Sequence, residues 1–291
     1  MDLSLQSFLH QIISNPALFI TTILVLGVIF VNGWTDAPNA IATCVSTRSI
    51  GPRAAVIMAA IFNFIGVLVM TMVSRKVAEV IFDMADFSKV TTEAHNPAMI
   101  ALCSALFGIV VWAVAAWVFG IPTSESHALI AGISGAAIAM GGIGGINGNE
   151  WMKVIFGLIL STFLGFGLGY VILKLIEFIF RPFSLKKTEN GFKWGQIAGG
   201  AMMAFMHGAQ DGQKFIGVFV LGMFIANNQE QTAFTIPFWL IVLVSLVMGV
   251  GTSIGGYRII KAVGMDMVKL KKYQGFAADL AASICLLIST L

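Results

Sequence analysis

The 291-residue sequence predicts an all-α, polytopic membrane protein. Its residues are 58% hydrophobic and only 11% charged, whereas soluble domains carry about 25% charged residues. Long apolar runs follow one another along the chain, whereas a membrane β-barrel would show short segments of alternating polarity. These observations predict a multi-pass bundle of helices in the cell (plasma) membrane, with the lipid bilayer as its surroundings.

Apolar windows long enough to cross a bilayer follow in order along the chain. They lie at residues 16–32, 53–73, 97–119, 151–180 and 237–256. Shorter or interrupted apolar stretches lie at 38–47, 122–141, 195–205, 213–226 and 275–291. Because lipid cannot hydrogen-bond to exposed backbone groups, interrupted spans persist only where they are buried in protein or line a cavity. The interruptions therefore predict broken half-helices around a transport site.

Two short basic segments, 181–193 and 258–272, predict the orientation of the chain. The positive-inside rule places both on the cytoplasmic side. Counting back from the first segment puts the N terminus outside. If 122–141 crosses fully, the first half has five crossings and the second half enters with the opposite orientation, whereas a re-entrant hairpin at 122–141 would break this count. We therefore expect two inverted repeats, 1–180 and 194–291, joined by a basic cytoplasmic linker at 181–193.

The same segments favour no other class of protein. Neither has interleaved aromatic residues or a nucleic-acid-binding motif, so no nucleic-acid partner is expected. The spacings of Cys44, Cys103 and Cys285 indicate neither a metal site nor a disulfide framework. The N-terminal stretch lacks the features of a signal peptide, so we expect the first apolar run to be retained.

Two similar phrases place an aspartate inside apolar sequence. They read Gly-Trp-Thr-Asp-Ala-Pro-Asn-Ala at 33–40 and Gly-Ala-Gln-Asp-Gly-Gln-Lys at 208–214. A charge at the depth of the bilayer costs several kcal/mol, about 3 on insertion scales. A chain that carries this cost in both halves, at Asp36 and Asp211, is predicted to hold an ion or solute pathway between them.

The first phrase has the pattern of a helix that starts again within the membrane. Asp36 can cap a short helix that begins at Pro38. One interpretation is a capped kink. The other is a half-helix whose positive end faces an anion, with oxygens of Asp36, Asn39 and Thr43 as ligands of a coupling cation.

The second phrase is the counterpart of the first, with Asp211 in the place of the first aspartate. Asp211 and Lys214 could also form a structural ion pair. His207 could accept a proton, because its ordinary pKa is about 6.5. It could equally bond a backbone carbonyl that the break leaves free, and both interpretations stay open.

A third phrase, at 120–132, places three hydroxyl groups at a predicted helix start. Thr123, Ser124 and Ser126 lie where backbone N–H groups are unpaired, which suits a tetrahedral oxyanion. The alternative is an ordinary helix cap with Glu125 beside it. Because adjacent helical residues point about 100° apart, Ser126 and His127 do not form a nucleophile–base pair. No hydrolase or metalloprotease motif is present, and we expect no enzyme.

In these phrases the chain resembles the inorganic phosphate transporter (PiT) family. Its signatures read roughly G-x-N-D-x-x-N-A and H-G-x-N-D-x-Q, each followed in its own half by P-V-S-T/S-T/S-H. The corresponding residues here are 33–40, 207–213 and 122–127, and the run 274–282 is also similar. The resemblance implies a secondary transporter (a symporter) that moves inorganic phosphate with Na⁺ or H⁺, sometimes as a metal–phosphate complex, with no cofactor. Sulfate or another oxyanion is the rival substrate.

The resemblance and the physical argument together assign the site residues. For phosphate, the residues are Thr123, Ser124, Ser126, His127 and Gln213. For the coupling cation, the residues are Asp36, Asn39, Thr43 and Asp211. If the cation is Na⁺, it is expected at the two aspartates. Since two carboxylates repel phosphate unless they are neutralised, the anion and its cation would enter together.

The chain departs from the family pattern at four positions. Thr35 and Gln210 replace the asparagine before each signature aspartate, Thr123 replaces a valine, and Glu125 replaces a hydroxyl residue. These changes leave the choice between Na⁺ and H⁺ open.

A second hydroxyl motif is expected but does not occur. The step from Gly33 to Pro122, counted again from Gly208, passes Leu291. We therefore expect an incomplete second repeat. A truncated gene, a split gene whose second chain supplies the missing C-terminal segment, and a functional minimal form all fit the sequence. The partners considered are a homo-oligomer or that second chain. The alternative is a truncated, non-transporting membrane subunit.

Overall fold

The computed structural model describes residues 3–36, 38–84, 96–227, 234–267 and 269–291, and these ranges contain helices and no strands. The helices are α1 (Leu5–Ser14), α2 (Pro16–Thr35), α3 (Pro38–Ser46), α4 (Pro52–Val73), α5 (Lys76–Asp83), α6 (Asn96–Phe119), α7 (Glu125–Gly141), α8 (Gly148–Phe180), α9 (Leu185–Ala226), α10 (Phe238–Ile254), α11 (Tyr257–Lys261) and α12 (Lys272–Thr290). A 3₁₀ turn follows α7 at Gly142–Gly145, and a π-helical turn follows α11 at Ala262–Met267.

The prediction of an all-α, multi-pass membrane protein is confirmed. Six helical segments of the described chain are long and apolar enough to cross a bilayer, or seven if α10 and α11 count as one bent span. The 33-residue α8 shows its apolar side chains on the outside, with Phe163 73% and Phe166 80% exposed. Such a face suits contact with lipid rather than water.

Helix starts follow local chemistry. Proline occupies the first turn of α2 and of α4, where a backbone N–H donor is not needed. Asn15 caps α2 by accepting hydrogen bonds from the N–H groups of Ala17 and Leu18, at 3.1 and 3.2 Å. Ser124 caps α7 by accepting from the N–H of His127 at 3.4 Å, as the ordinary-cap interpretation predicts.

Glycines of the two signature phrases lie at close helix crossings. On α2, a Cβ added at Gly33 would lie 2.9 Å from the backbone N of Thr252 on α10. On α9, a Cβ added at Gly208 would lie 2.7 Å from the Cα of Asn63 on α4. Each signature glycine therefore packs its helix against the backbone of another, as small residues do in membrane bundles.

The first predicted interruption is present, and the second is absent. The α-helix stops at Thr35 and starts again at Pro38. The prediction of a break near Gln213 is wrong, because α9 runs without interruption from Leu185 to Ala226. Most of the predicted 181–193 linker is likewise part of α9. The backbone of α9 stays helical because the donors that bind the buried Asp211 are side chains and not backbone groups freed by a break.

A sharp bend that the sequence analysis did not predict separates α10 from α11. The two helices meet at 62°. Gly255 takes a φ of +73°, a conformation that favours glycine. The next glycine approaches the backbone of Trp34, at the end of α2. The bend therefore directs α11 and the following turn toward α3.

Candidate functional site

Three ionisable side chains from the two signature phrases meet in the middle of the bundle. The Nε2 atom of His207 lies 3.7 Å from Oδ2 of Asp36 and 3.4 Å from Oδ2 of Asp211. One ligand atom from each of the three residues lies within 4.8 Å of the others. We call these residues the central triad. Their spacing and chemistry would suit a small cation, since carboxylate oxygens and an imidazole nitrogen are common metal ligands.

Asp211 is the most fully bonded member of the triad, with a side chain only 5% exposed. Its Oδ1 atom accepts from Lys214 Nζ at 2.8 Å and from Ser126 Oγ at 3.1 Å. Its Oδ2 atom accepts from the Asn32 amide at 3.1 Å. Donors from α2, α7 and α9 thus converge on one carboxylate.

Asp36 lies at the interruption between α2 and α3. Its Oδ1 atom accepts from the Asn39 side-chain amide at 2.7 Å. Its backbone carbonyl, rather than its carboxylate, accepts from the backbone N–H of Asn39 at 2.9 Å. The carboxylate therefore remains directed toward the triad, and the two predicted cation ligands Asp36 and Asn39 are in contact.

The predicted phosphate ligands on α7 divide into two groups. Ser126 joins the central triad, where its Oγ also accepts from Lys214 Nζ at 2.7 Å. Thr123, Ser124 and His127 line a groove of about 640 Å³ between α6 and α7. The hydroxyl phrase therefore connects the buried triad with an open groove.

Two other predicted residues lie apart from this arrangement. Gln213 is fully buried, and neither polar atom of its amide has a hydrogen-bond partner among the described residues. Thr43 does not reach Asp36. Its Oγ1 atom lies 2.8 Å from both carboxylate oxygens of Asp279 on α12.

The contact of Thr43 belongs to a second buried polar cluster, which the sequence analysis missed. The Gln196 amide donates to Asp279 Oδ2 at 2.6 Å and to Thr43 Oγ1 at 3.2 Å. Cys44 lies beside them, with its Sγ 3.1 Å from the backbone carbonyl of Gln196. The cluster ties the end of α3 to α9 and α12. A buried aspartate in the run 274–282 was the signal that could have revealed it.

Two asparagines of the site were also missed. Asn32 holds Asp211, and Asn63 lies with its Oδ1 3.3 Å from His207 Nδ1. The Asn63 amide donates to Thr252 Oγ1 at 2.9 Å, which leaves its oxygen facing the histidine. Both residues are fully buried. A single amide inside an apolar span was the available signal, because such a group is costly unless it has partners.

The ion pair of Asp211 with Lys214 allows a stability test. We expect Lys214→Met to lower the stability in detergent by about 3–5 kcal/mol, because it leaves a buried charge without its partner. Asp211→Asn in the same chain should recover part of that loss. Thermal unfolding of the two single variants and the double variant gives the coupling. Strictly additive shifts would show that the pair contributes nothing beyond its two separate residues.

A sequence profile described as the phosphate transporter family matches residues 32–190 and 180–291. Relatives named "Probable low-affinity inorganic phosphate transporter" are 37% identical in Bacillus subtilis (strain 168), over 91% of this chain and 78% of that protein, and 36% identical in Mycobacterium leprae (strain TN), over 94% and 64%. The chain thus spans just under two thirds of the length of the mycobacterial relative.

A solved structure, "The sodium-dependent phosphate transporter", has the same fold. It superposes with a TM-score of 0.82 over 94% of this chain and 84% of the other, at 23% sequence identity. The helical architecture described above is therefore shared with a known transporter structure.

Proposed function

Because the chain belongs to the phosphate transporter family, we propose that it moves inorganic phosphate across the cell membrane as a secondary transporter driven by Na⁺ or H⁺. The observation that carries the proposal is the central triad with its donors. Asp36 and Asp211 come from corresponding phrases of the two halves, and the Lys214 ammonium and the Ser126 hydroxyl lie beside Asp211. The site thus offers donors to an anion and carboxylates to a cation.

The charges explain why the two ions would travel together. With His207 neutral, two carboxylates face one lysine, so the triad and Lys214 carry a net negative charge. A phosphate anion that approached alone would meet this charge in a medium that screens it poorly. A cation at Asp36 and Asp211 removes the repulsion, and Lys214 and Ser126 are then available to the phosphate oxygens. Each ion therefore favours binding of the other, which is the thermodynamic basis of coupling.

The hydroxyl phrase gives phosphate a route to this position. Thr123 and Ser124 line the groove between α6 and α7, while Ser126, two residues beyond Ser124, contacts the triad. His127 lies on the groove side, and Ser126 Oγ is bonded to Asp211 and Lys214 instead. This arrangement supports the expectation that the serine acts in binding and is not the nucleophile of an enzyme.

Counterflow of radiolabelled phosphate in proteoliposomes tests the proposed function. We expect the purified 291-residue chain to exchange external labelled phosphate for internal phosphate, and we expect excess sulfate to compete less well. Imposed Na⁺ and pH gradients, applied separately, identify the driving ion. The absence of counterflow would favour the alternative of a membrane subunit that does not transport by itself. Assembly with a second copy or a second chain stays a prediction, which co-reconstitution would test.

A further inference from the structure

Two of the positions at which the chain departs from the family signatures are in direct contact. Thr35, at the end of α2, has its Oγ1 atom 2.7 Å from Oε1 of Glu125, the first residue of α7. Glu125 is 1% exposed. Its second oxygen, Oε2, is buried and has no hydrogen-bond partner among the described residues. The structure thus joins two substitutions that lie far apart in the sequence.

The hydrogen-bond pattern of Thr35 indicates where the proton lies. Its Oγ1 atom is also 2.8 Å from the backbone carbonyl oxygen of Val31. A threonine hydroxyl has one hydrogen to donate, and a carbonyl oxygen can only accept. If the hydroxyl donates to Val31, the short contact with Glu125 needs a proton on the glutamate, which then donates to Thr35. A protonated Glu125 satisfies both contacts.

The charges around Glu125 favour the same state. The charged groups that act on it are the carboxylates of Asp36, beside Thr35, and of Asp211, on α9, and both repel a negative charge. No cationic side chain of the described residues forms an ion pair with Glu125, since Lys214 is bonded to Asp211 and Ser126. Within the described part of the chain, the one further side-chain hydrogen bond to Glu125 comes from Thr123 Oγ1 at 3.5 Å. An ionised carboxylate buried in this way is costly, and proton binding removes the cost.

We propose that Glu125 and Thr35 form a proton-binding site that loads and unloads a proton as phosphate is transported. The site lies beside the central triad but is separate from it. A proton taken from water on the side of phosphate entry forms the O–H bond on Glu125, and the same proton returns to water on the side of release. The inference rests on the proposed function and specifies one of its coupling ions.

The test is the number of protons that move with each phosphate in proteoliposomes. An enclosed pH-sensitive dye and radiolabelled phosphate are followed together, so the ratio does not depend on the transport rate. We expect Glu125→Gln to lower the ratio by about one proton. The matched control is Glu150→Gln, which changes another buried glutamate, one that is paired with Lys153 at 2.6 Å. This control should leave the ratio as in the unmodified chain.

Infrared spectroscopy of the purified protein is the second measurement, and it does not need transport. We expect the carbonyl band of a protonated carboxyl group in the unmodified chain and in Glu150→Gln, and its loss in Glu125→Gln. Identical bands in the unmodified chain and Glu125→Gln would overturn the proposal, and so would identical proton ratios. If the unmodified chain shows phosphate counterflow but either of these results is obtained, only the proton site fails. Absence of counterflow is instead a failure of the proposed function. In that case the infrared comparison still shows whether Glu125 is protonated.

Discussion

Replacement of Asp36 by asparagine is expected to abolish cation-dependent phosphate uptake into proteoliposomes. The variant keeps the size of the side chain and a carbonyl oxygen within reach of Asn39, but it removes the charge that faces His207 and Asp211. Hydrogen bonds to charged groups contribute about 1.5–3 kcal/mol each. At about 1.4 kcal/mol per factor of ten, loss of one such interaction in the loaded state lowers uptake by roughly tenfold to a hundredfold.

The control for this experiment is Asp83→Asn. Asp83 is the last residue of α5, outside the candidate membrane spans, and it is exposed. We expect this variant to take up phosphate like the unmodified chain, with the same dependence on the cation gradient. Coupled uptake that is unaltered in Asp36→Asn would contradict the assignment of the triad to the coupling cation.

Replacement of Gly208 by alanine is expected to cause a large loss of stability. The new Cβ would lie 2.7 and 2.8 Å from the Cα and carbonyl C of Asn63, and closer still to its carbonyl oxygen. These are backbone atoms of α4, so no side chain can rotate away and the two helices must separate. Overpacking of this kind costs about 1–3 kcal/mol, and sometimes more. The separation would also move Asn63 away from His207, so we expect uptake to fall as well.

Gly165→Ala is the matched control, since it makes the same substitution in another helix. Gly165 lies within α8, and a Cβ added there meets no atom within 4 Å. Alanine is favoured over glycine in a helix interior by about 1 kcal/mol, so the control should unfold at the same or a higher temperature. The two variants are compared by thermal unfolding in detergent, with the folded fraction measured by size-exclusion chromatography. Equal unfolding temperatures would show that the α4–α9 crossing tolerates an added methyl group.

Much of the architecture could be predicted from the sequence, because the cost of placing a polar residue in lipid depends on that residue and little on its distant partners. Lipid excludes unpaired polar groups from each span, so apolar length alone located α4, α6 and α8. The break before Pro38 was predictable for a similar reason, since proline cannot donate a hydrogen bond inside a helix. The second break was predicted by analogy between the phrases. It was wrong because the side chains of Asn32, Ser126 and Lys214 bind the buried Asp211, so that α9 continues without freeing backbone groups.

Which residues form the site was only partly predictable from the sequence. Asp36, Asn39 and Asp211 were expected together and lie together, because the two phrases carry recognisable signatures. Thr43 was assigned to the same site because it offers an oxygen at the end of the first phrase. In the structure it faces Asp279 instead. The partner of a residue on α3 depends on which side chains of α9 and α12 pack against that face of the helix.

By itself, the sequence determined the class of protein, the positions of long apolar helices such as α4, α6 and α8, and the two phrases that hold the aspartates. Each of these follows from local composition and from the cost of placing a charge in lipid. Only the tertiary structure decided which partners satisfy those charges. Asn32 and Ser126 converge on Asp211, and Thr35 meets Glu125, although the two partners of each contact lie on different helices. Hydrogen bonds form between groups that are close in space, and helix packing alone sets that proximity.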